Sequence, residues 1–381
     1  MSRLRSAVLP LLWLATTSSP AAPIERIWLS HASNTPDKLV VSWETDTPGP
    51  STVEFGTSAA LGEKVQKDES VTLHHVEVPL ADKGGRYHYR VSGGQDVSAV
   101  HSFQGYPEDT LRVIVVGDWG YAKVEDFSAV LKDEPHLLIS AGDNVASLHE
   151  KGKEGVKAFS ALIDRQPALF RSVPFMPILG NHDREVTPRG PKPPAHAVYD
   201  VSAAAYREFF ALPDDEWKWH FDIPEFDARF VALDLQHISD FGSTWQTCHP
   251  FDAQSEQFLW YQDLMTRSRQ GFLFTLINEK QTSVEGQTQG LWHGHFGESS
   301  ALITGFGYFA DRARLKSGLP YYNTCLKGDG SPYKDPRSEF FAQQDNYLLL
   351  TFERGKDTVQ IEFKNMKGEV LDTTRIPRRK L

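Results

Sequence analysis

Hydrophobic and polar residues alternate along the first part of the chain, in short runs separated by turn clusters. Leu39, Val41 and Trp43 share one face of such a run, and the same period of two recurs in residues 87–91. Turns that contain Gly and Pro connect these runs, as suits antiparallel strands. The pattern predicts an all-β sandwich over residues 23–104.

The pattern changes after a linker at residues 105–109. Short apolar runs now alternate with amphipathic segments, which is typical of strands followed by helices. The predicted strands cover residues 113–116, 137–140, 174–179, 230–234, 272–277, 301–305, 347–352 and 358–363. This alternation predicts a second domain, of the α/β class, over residues 105–381.

Three of the predicted strands end at a glycine that precedes a metal-binding type of residue. These ends read Gly117-Asp118, Gly142-Asp143 and Gly180-Asn181-His182-Asp183. Because the carboxyl ends of neighbouring parallel strands meet at one edge of a sheet, we expect Asp118, Asp143 and Asn181 to converge. Such oxygen ligands suit a pair of hard metal ions. His182 would then act on the leaving oxygen of a phosphoester, while Asp183 or a neighbouring carbonyl holds its tautomer.

The net charge and the N-terminal sequence indicate which partners the protein can have and in which cell compartment it acts. The chain has 381 residues and a net charge of -10, which argues against a nucleic-acid partner. Residues 1–22 combine Arg3 and Arg5, an apolar run and a small-residue end, which is typical of a secretory signal peptide. That run is too short to span a bilayer. We expect an exported protein, periplasmic or extracellular, without stable membrane insertion.

The cysteines and the missing motifs narrow the chemistry. Cys248 and Cys325 are the only cysteines, and in an exported protein they could form a surface disulfide or remain free. Neither is predicted to be catalytic. The sequence contains no Gly-x-Ser-x-Gly elbow, phosphate-binding P-loop or Gly-x-Gly-x-x-Gly fingerprint.

The chain resembles the calcineurin-like metallophosphoesterases, and within them the purple acid phosphatases, including the tartrate-resistant type. The matching motifs are Gly117-Asp118-Trp119-Gly120, Gly142-Asp143-Asn144 and Gly180-Asn181-His182-Asp183. The resemblance covers nearly the whole chain after the predicted signal peptide and includes a fibronectin III-like leader domain. It implies a four-layer domain, two packed β-sheets flanked by helices, around two metal ions (iron, zinc or manganese) that hydrolyse phosphate monoesters.

The chain also departs from that family at its metal ligands. The purple enzymes carry an iron-binding tyrosine where this chain has Ala146, so we expect no purple colour. Their fourth motif ends in a histidine where Asn278 stands, and Asn278 is therefore a predicted ligand. Their fifth motif, Gly-His-x-His, has two candidate registers here. One retains both His293 and His295, whereas the other begins at Gly294 and retains only His295.

Three hypotheses follow from this mixture of matches and departures. The first is an exported, metal-dependent phosphatase acting on a small phosphoester, with ligands from Asp118, Asp143, Asn181, Asn278, His293 and His295. The second is a catalytically impaired or dead relative that acts in binding, and the third is a binding role for the leader sandwich alone. The sequence leaves the natural substrate, the metal identities and the oligomeric state open.

Overall fold

The computed structural model describes residues 24–81, 83–146, 148, 155–186, 195–330 and 333–380. The predicted signal peptide and the Pro- and Gly-rich sequence of residues 187–194 lie outside the described residues. The strands are β1 (Ile27–Ser30), β2 (Lys38–Gly56), β3 (Glu63–Pro79), β4 (Arg86–Gly93), β5 (Asp96–Val97), β6 (His101–Gln104), β7 (Thr110–Val116), β8 (Leu137–Ser140), β9 (Phe175–Pro177), β10 (Trp219–Ile223), β11 (Ala228–Ala232), β12 (Phe272–Ile277), β13 (Ala301–Thr304), β14 (Ala310–Arg314), β15 (Pro320–Asn323), β16 (Phe340–Ala342), β17 (Asn346–Glu353), β18 (Thr358–Asn365) and β19 (Val370–Pro377). The described α-helices are α1 (Ser128–Lys132), α2 (Lys157–Arg165), α3 (Pro167–Phe170), α4 (Ala204–Phe209), α5 (Glu256–Arg267), α6 (Gln281–Gln287) and α7 (Leu291–Phe296). Short 3₁₀ turns cover Trp119–Tyr121, Asn181–Asp183, Pro224–Phe226 and Ile238–Asp240.

The first six strands form the predicted sandwich-like unit. The long strand β2 pairs with β1, β3 and β4, and its register against β3 shifts between Glu44 and Ser51. The inward residues of these strands, among them Trp43 and Val53 of β2 and Tyr89 of β4, form a hydrophobic core separate from those of the following domain. The predicted all-β fold is therefore confirmed, while the exact boundary at residues 104 and 105 stays a prediction.

Two sheets build the second domain. One has the order β10-β11-β12-β13-β15-β14-β16, and the other has the order β19-β18-β17-β7-β8-β9. The sheets share a core, in which the ring of Phe352 lies 5.9 Å from that of Phe274. Helices α5, α6 and α7 cover the outer face of the first sheet, and α3 packs beside the second through Phe170 and Phe175. This arrangement confirms the α/β architecture with packed sheets and flanking helices.

Parallel pairing aligns the strand ends that carry the predicted ligands. In the second sheet, β7, β8 and β9 run parallel, with Val116 beside Ser140 and Ser140 beside Pro177. In the first sheet, β11, β12 and β13 are also parallel.

The described helices include none long and apolar enough to cross a membrane.

The sandwich contacts the second domain through aromatic and polar side chains. Trp28 stacks on Phe209 of α4 with ring centroids 4.2 Å apart. Buried His31 donates from Nδ1 to the carbonyl of Lys38 at 2.6 Å, and its Nε2 lies 3.0 Å from the hydroxyl of Tyr106 in the linker. Both ring nitrogens are thus satisfied in the neutral imidazole.

Acid is expected to destabilise the fold through His31. Burial lowers the pKa of His31 to about 4. Between about pH 6.5 and pH 4, His31 is therefore protonated in the unfolded chain and neutral in the folded chain. The free energy of unfolding should therefore fall as the pH falls from about 6.5 to about 4, by about 3 kcal/mol for this residue. In urea unfolding measured across that range, the free energy of unfolding should depend less steeply on pH in His31→Gln than in the wild type. Because His74, His75 and His136 also have lowered pKa values, the slope should decrease without vanishing. The same change at exposed His196 should leave the slope unaltered, and an equal slope in both variants would contradict the assignment.

Candidate metal centre

Asp118 and Asp143 begin the loops after β7 and β8 in unusual backbone conformations. Their φ values are 49° and 52°, in the left-handed region that costs a non-glycine residue energy. The backbone ties the two loops together, since Asp118 N donates to Gly142 O at 3.2 Å and Gly120 N donates to Asp143 O at 2.8 Å. The fold thus places both carboxylates at one sheet edge, as expected from the sequence.

Glycines allow the edges of the two sheets to meet at this point. A Cβ atom on Gly117 would lie 2.6 Å from the Cα of Gly305, which follows β13 of the other sheet. Gly142 has φ 91°, and a Cβ there would lie 2.6 Å from the Cβ of Asn278. Both contacts are closer than a side chain permits, so these glycines bring the ends of β7, β8, β12 and β13 together.

The carboxyl group of Asp118 is buried among protein donors. The thiol of Cys325 donates to Asp118 Oδ2 at 3.2 Å, and the backbone N–H of Tyr308 donates to the same carboxyl group. Burial, and next the charge of Asp143, raise the pKa of Asp118 well above its usual value. A cation bound between the two carboxyl groups would relieve the repulsion that raises this pKa.

His182 lies beside Asp143 and contacts Tyr121. The backbone N–H of His182 donates to Asp143 Oδ1 at 3.2 Å, and its Nε2 lies 3.9 Å from Asp143 Oδ2. The Tyr121 hydroxyl lies 3.0 Å from His182 Nδ1, and the two rings meet edge to face. The phenol therefore fixes the orientation of the imidazole.

Asp183 holds the strand-end turn. Its Oδ2 accepts hydrogen bonds from Gly180 N and Asn144 Nδ2, each at 2.8 Å, and its Oδ1 accepts one from Val145 N at 3.2 Å. Burial, together with the charge of Asp143, raises the pKa of Asp183 to about 8. The described hydrogen bonds of Asp183 thus hold the turn in shape, and the contact that orients the His182 ring comes from Tyr121.

The structure corrects the predicted roles of His293 and His295. Both lie on helix α7, whose Trp292 and Phe296 point into the core, on the outer side of the first sheet. His293 Nε2 lies 3.1 Å from a Gln281 amide oxygen, and His295 Nδ1 lies 3.1 Å from Glu298. Neither register proposed from the sequence brings these rings to Asp118 and Asp143.

The fifth family motif has a different counterpart in the structure. The loop that meets Gly117 is the one after β13, and it reads Gly305-Phe306-Gly307-Tyr308. If its glycine corresponds to the first glycine of Gly-His-x-His, Phe306 and Tyr308 occupy the two histidine positions. A glycine directly after an apolar strand was the sequence signal for this loop, as it was for the other three.

Asn278 acts as a clasp between strand ends. Its Nδ2 donates to Ala141 O at 2.8 Å and to Gly305 O at 2.6 Å, so the amide nitrogen is engaged with backbone.

Sequence reasoning also missed Cys325 as part of the site, because its loop sequence suggested a surface position. Of the two alternatives left open for the cysteines, the structure has the free form, with both side chains buried.

The donor set fits one metal ion better than two. Asp118, Asp143 and Asn181, which is also buried, offer carboxylate and amide oxygens that suit a hard cation. In the described part of the chain, no three His, Cys, Asp or Glu side chains are arranged as a metal site. The side chains after β12 and β13 are Asn278, Phe306 and Tyr308, so these two strand ends supply no imidazole to the two-ion centre that the resemblance implies.

Comparison with known proteins agrees with the fold and the motifs. Residues 111–298 match the model of the calcineurin-like phosphoesterase family. Two solved structures share the fold: purple acid phosphatase PPD1 from yellow lupin (Lupinus luteus) seeds, at 15% identity and a TM-score of 0.70, and PhoD, at 12% identity and a TM-score of 0.65. The first alignment covers 93% of this chain and 74% of that one, and the second covers 94% and 90%. No curated protein sequence matches the chain.

Proposed function

Because residues 111–298 form a calcineurin-like phosphoesterase domain, we propose that this chain hydrolyses a small phosphate monoester with one metal ion held by Asp118, Asp143 and Asn181. The observation that carries the proposal is the pair of buried carboxyl groups at adjoining strand ends, directly beside His182. A metal ion bound there would neutralise charge on the phosphate and activate water. The signal-peptide pattern of residues 1–22 supports export of the protein.

The chain's own residues contribute positioning and proton transfer. Asp143 accepts a hydrogen bond from the backbone N–H of His182 and thereby fixes the backbone position from which the imidazole extends. The Tyr121 hydroxyl then fixes the ring. An imidazole held in this way can stabilise or protonate the leaving oxygen of the ester.

A second candidate function is phosphoester binding without turnover. It is favoured by one observation: the side chains after β12 and β13 are Asn278, Phe306 and Tyr308, none of which is an imidazole. Loss of such ligands lowers metal affinity, and a weakly held ion cannot sustain catalysis. The same carboxylates would then serve recognition.

Metal reconstitution separates the two candidates. The full chain would be stripped with chelator, reloaded in turn with magnesium, manganese, zinc or iron, and assayed with a chromogenic aryl phosphate. We expect turnover that requires added metal, with one ion bound per chain by elemental analysis. If the ion binds and no metal supports turnover, the binding function replaces the catalytic one.

A further inference from the structure

We propose that Lys327 binds the phosphate group of the ester, supplying positive charge at a site that lacks the ligands for a second metal ion. The inference deepens the proposed function, since it names the residue that recognises the phosphate. A lysine ammonium is a compact point charge that commonly binds phosphate.

The backbone around Lys327 is fixed to the candidate metal centre. Leu326 N donates to Gly117 O at 2.9 Å, directly before Asp118. The backbone N–H of Lys327 donates to Cys325 Sγ at 3.4 Å, and the same sulfur contacts Asp118. The segment after β15 therefore runs along the loop that carries the first carboxylate.

The side chain of Lys327 reaches the aromatic pair that borders His182. Its Nζ lies 4.2 Å from the ring centroid of Tyr308 and 5.7 Å from that of Tyr121. These rings contact each other at 5.7 Å, and Tyr121 also touches His182. Attraction to the two ring faces holds the ammonium at the mouth of the site, and its side chain is only 22% exposed.

The charges around Lys327 leave its ammonium group able to bind an anion. Its nearest carboxylate, Asp329, lies 3.4 Å from Nζ, and the same Asp329 accepts a closer contact of 3.2 Å from Lys123. One carboxylate thus serves two ammonium groups. A phosphate dianion would complete the pairing of Lys327 at a partly desolvated position, where a charge-assisted hydrogen bond is strong.

Calorimetric titration of inorganic phosphate into the manganese-loaded full chain tests the assignment. Lys327→Met should weaken phosphate binding by about 10- to 100-fold, as expected when a hydrogen bond to a charged group is lost. Lys327→Arg should retain most of the affinity. The matched control is Lys334→Met, which removes a lysine that also lies over an aromatic ring, that of Phe341, at 5.7 Å.

A gain of affinity distinguishes the proposal from general damage to the fold. Asp329→Asn removes the carboxylate that competes with phosphate, and it should tighten phosphate binding by several-fold. Unchanged affinity in Lys327→Met, or an unaltered or weaker affinity in Asp329→Asn, would overturn the proposal, as would a wild-type chain that binds no phosphate. The titration measures binding and does not require turnover. A protein that binds phosphate through Lys327 but hydrolyses no ester would therefore refute the proposed hydrolysis and leave the role of Lys327 intact.

Discussion

Asp143→Ala is expected to reduce kcat/KM for an aryl phosphate by roughly 1,000-fold, because several kcal/mol of transition-state stabilisation depend on this one carboxylate. Asp143 adjoins Asp118, accepts the backbone N–H of His182 and faces the imidazole ring. The alanine variant therefore loses a proposed metal ligand and a positioning contact together. Steady-state kinetics and metal content, measured on the same preparations, check the expectation.

Two further variants give this experiment its controls. Asp143→Asn keeps an oxygen that can accept the His182 N–H but removes the charge, so metal content should fall while the loop stays in place. Asp68→Ala changes an exposed carboxylate on β3 of the sandwich and should leave kcat/KM unaltered. Hydrolysis that persists in Asp143→Ala would place the chemistry at another site.

Arg184→Met is expected to destabilise the fold by about 3–5 kcal/mol, the usual result of leaving one partner of a buried ion pair uncompensated. Arg184 follows the Asn181–Asp183 turn, and its guanidinium donates to Asp234 at 2.6 Å with both side chains fully buried. Asp234 also lies 2.6 Å from His249 Nδ1, and this contact remains in the variant. Urea unfolding followed by circular dichroism measures the loss.

A solvent-exposed ion pair supplies the comparison for Arg184. Arg267 and Asp263 lie one helical turn apart on α5, and Arg267→Met should cost less than about 1 kcal/mol. Removing both buried partners, in Arg184→Met with Asp234→Leu, should recover part of the stability, because no unpaired charge then remains. Equal losses from Arg184→Met and Arg267→Met would show that the buried pair contributes no more than a surface pair.

Local patterns were sufficient to predict where the polar residues at the strand ends lie. Asp118, Asp143 and Asn181 each follow a glycine at the end of an apolar strand, and strand parallelism then determines that they meet. His182 lies beside Asp143 for the same reason. These features depend on short-range sequence and on one general rule of sheet geometry.

The remaining parts of the site depend on tertiary packing. His293 and His295 gave a family-like spacing, but Trp292 and Phe296 are four residues apart and turn the segment into a helix that covers the core. Cys325 reaches Asp118 across 207 positions of sequence, which no local pattern reveals. The contact of Tyr121 with His182 depends on two loops meeting, so it also has no local sequence signal.

The hydrogen bonds that Asn278 makes to both neighbouring loops limit which side chains this position accepts. A histidine placed here would leave the carbonyls of Ala141 and Gly305 without their shared amide donor, and its ring would have to fit against the backbone of Gly142. An imidazole ligand engineered at this position therefore requires compensating changes in both loops, and a single substitution would not supply it.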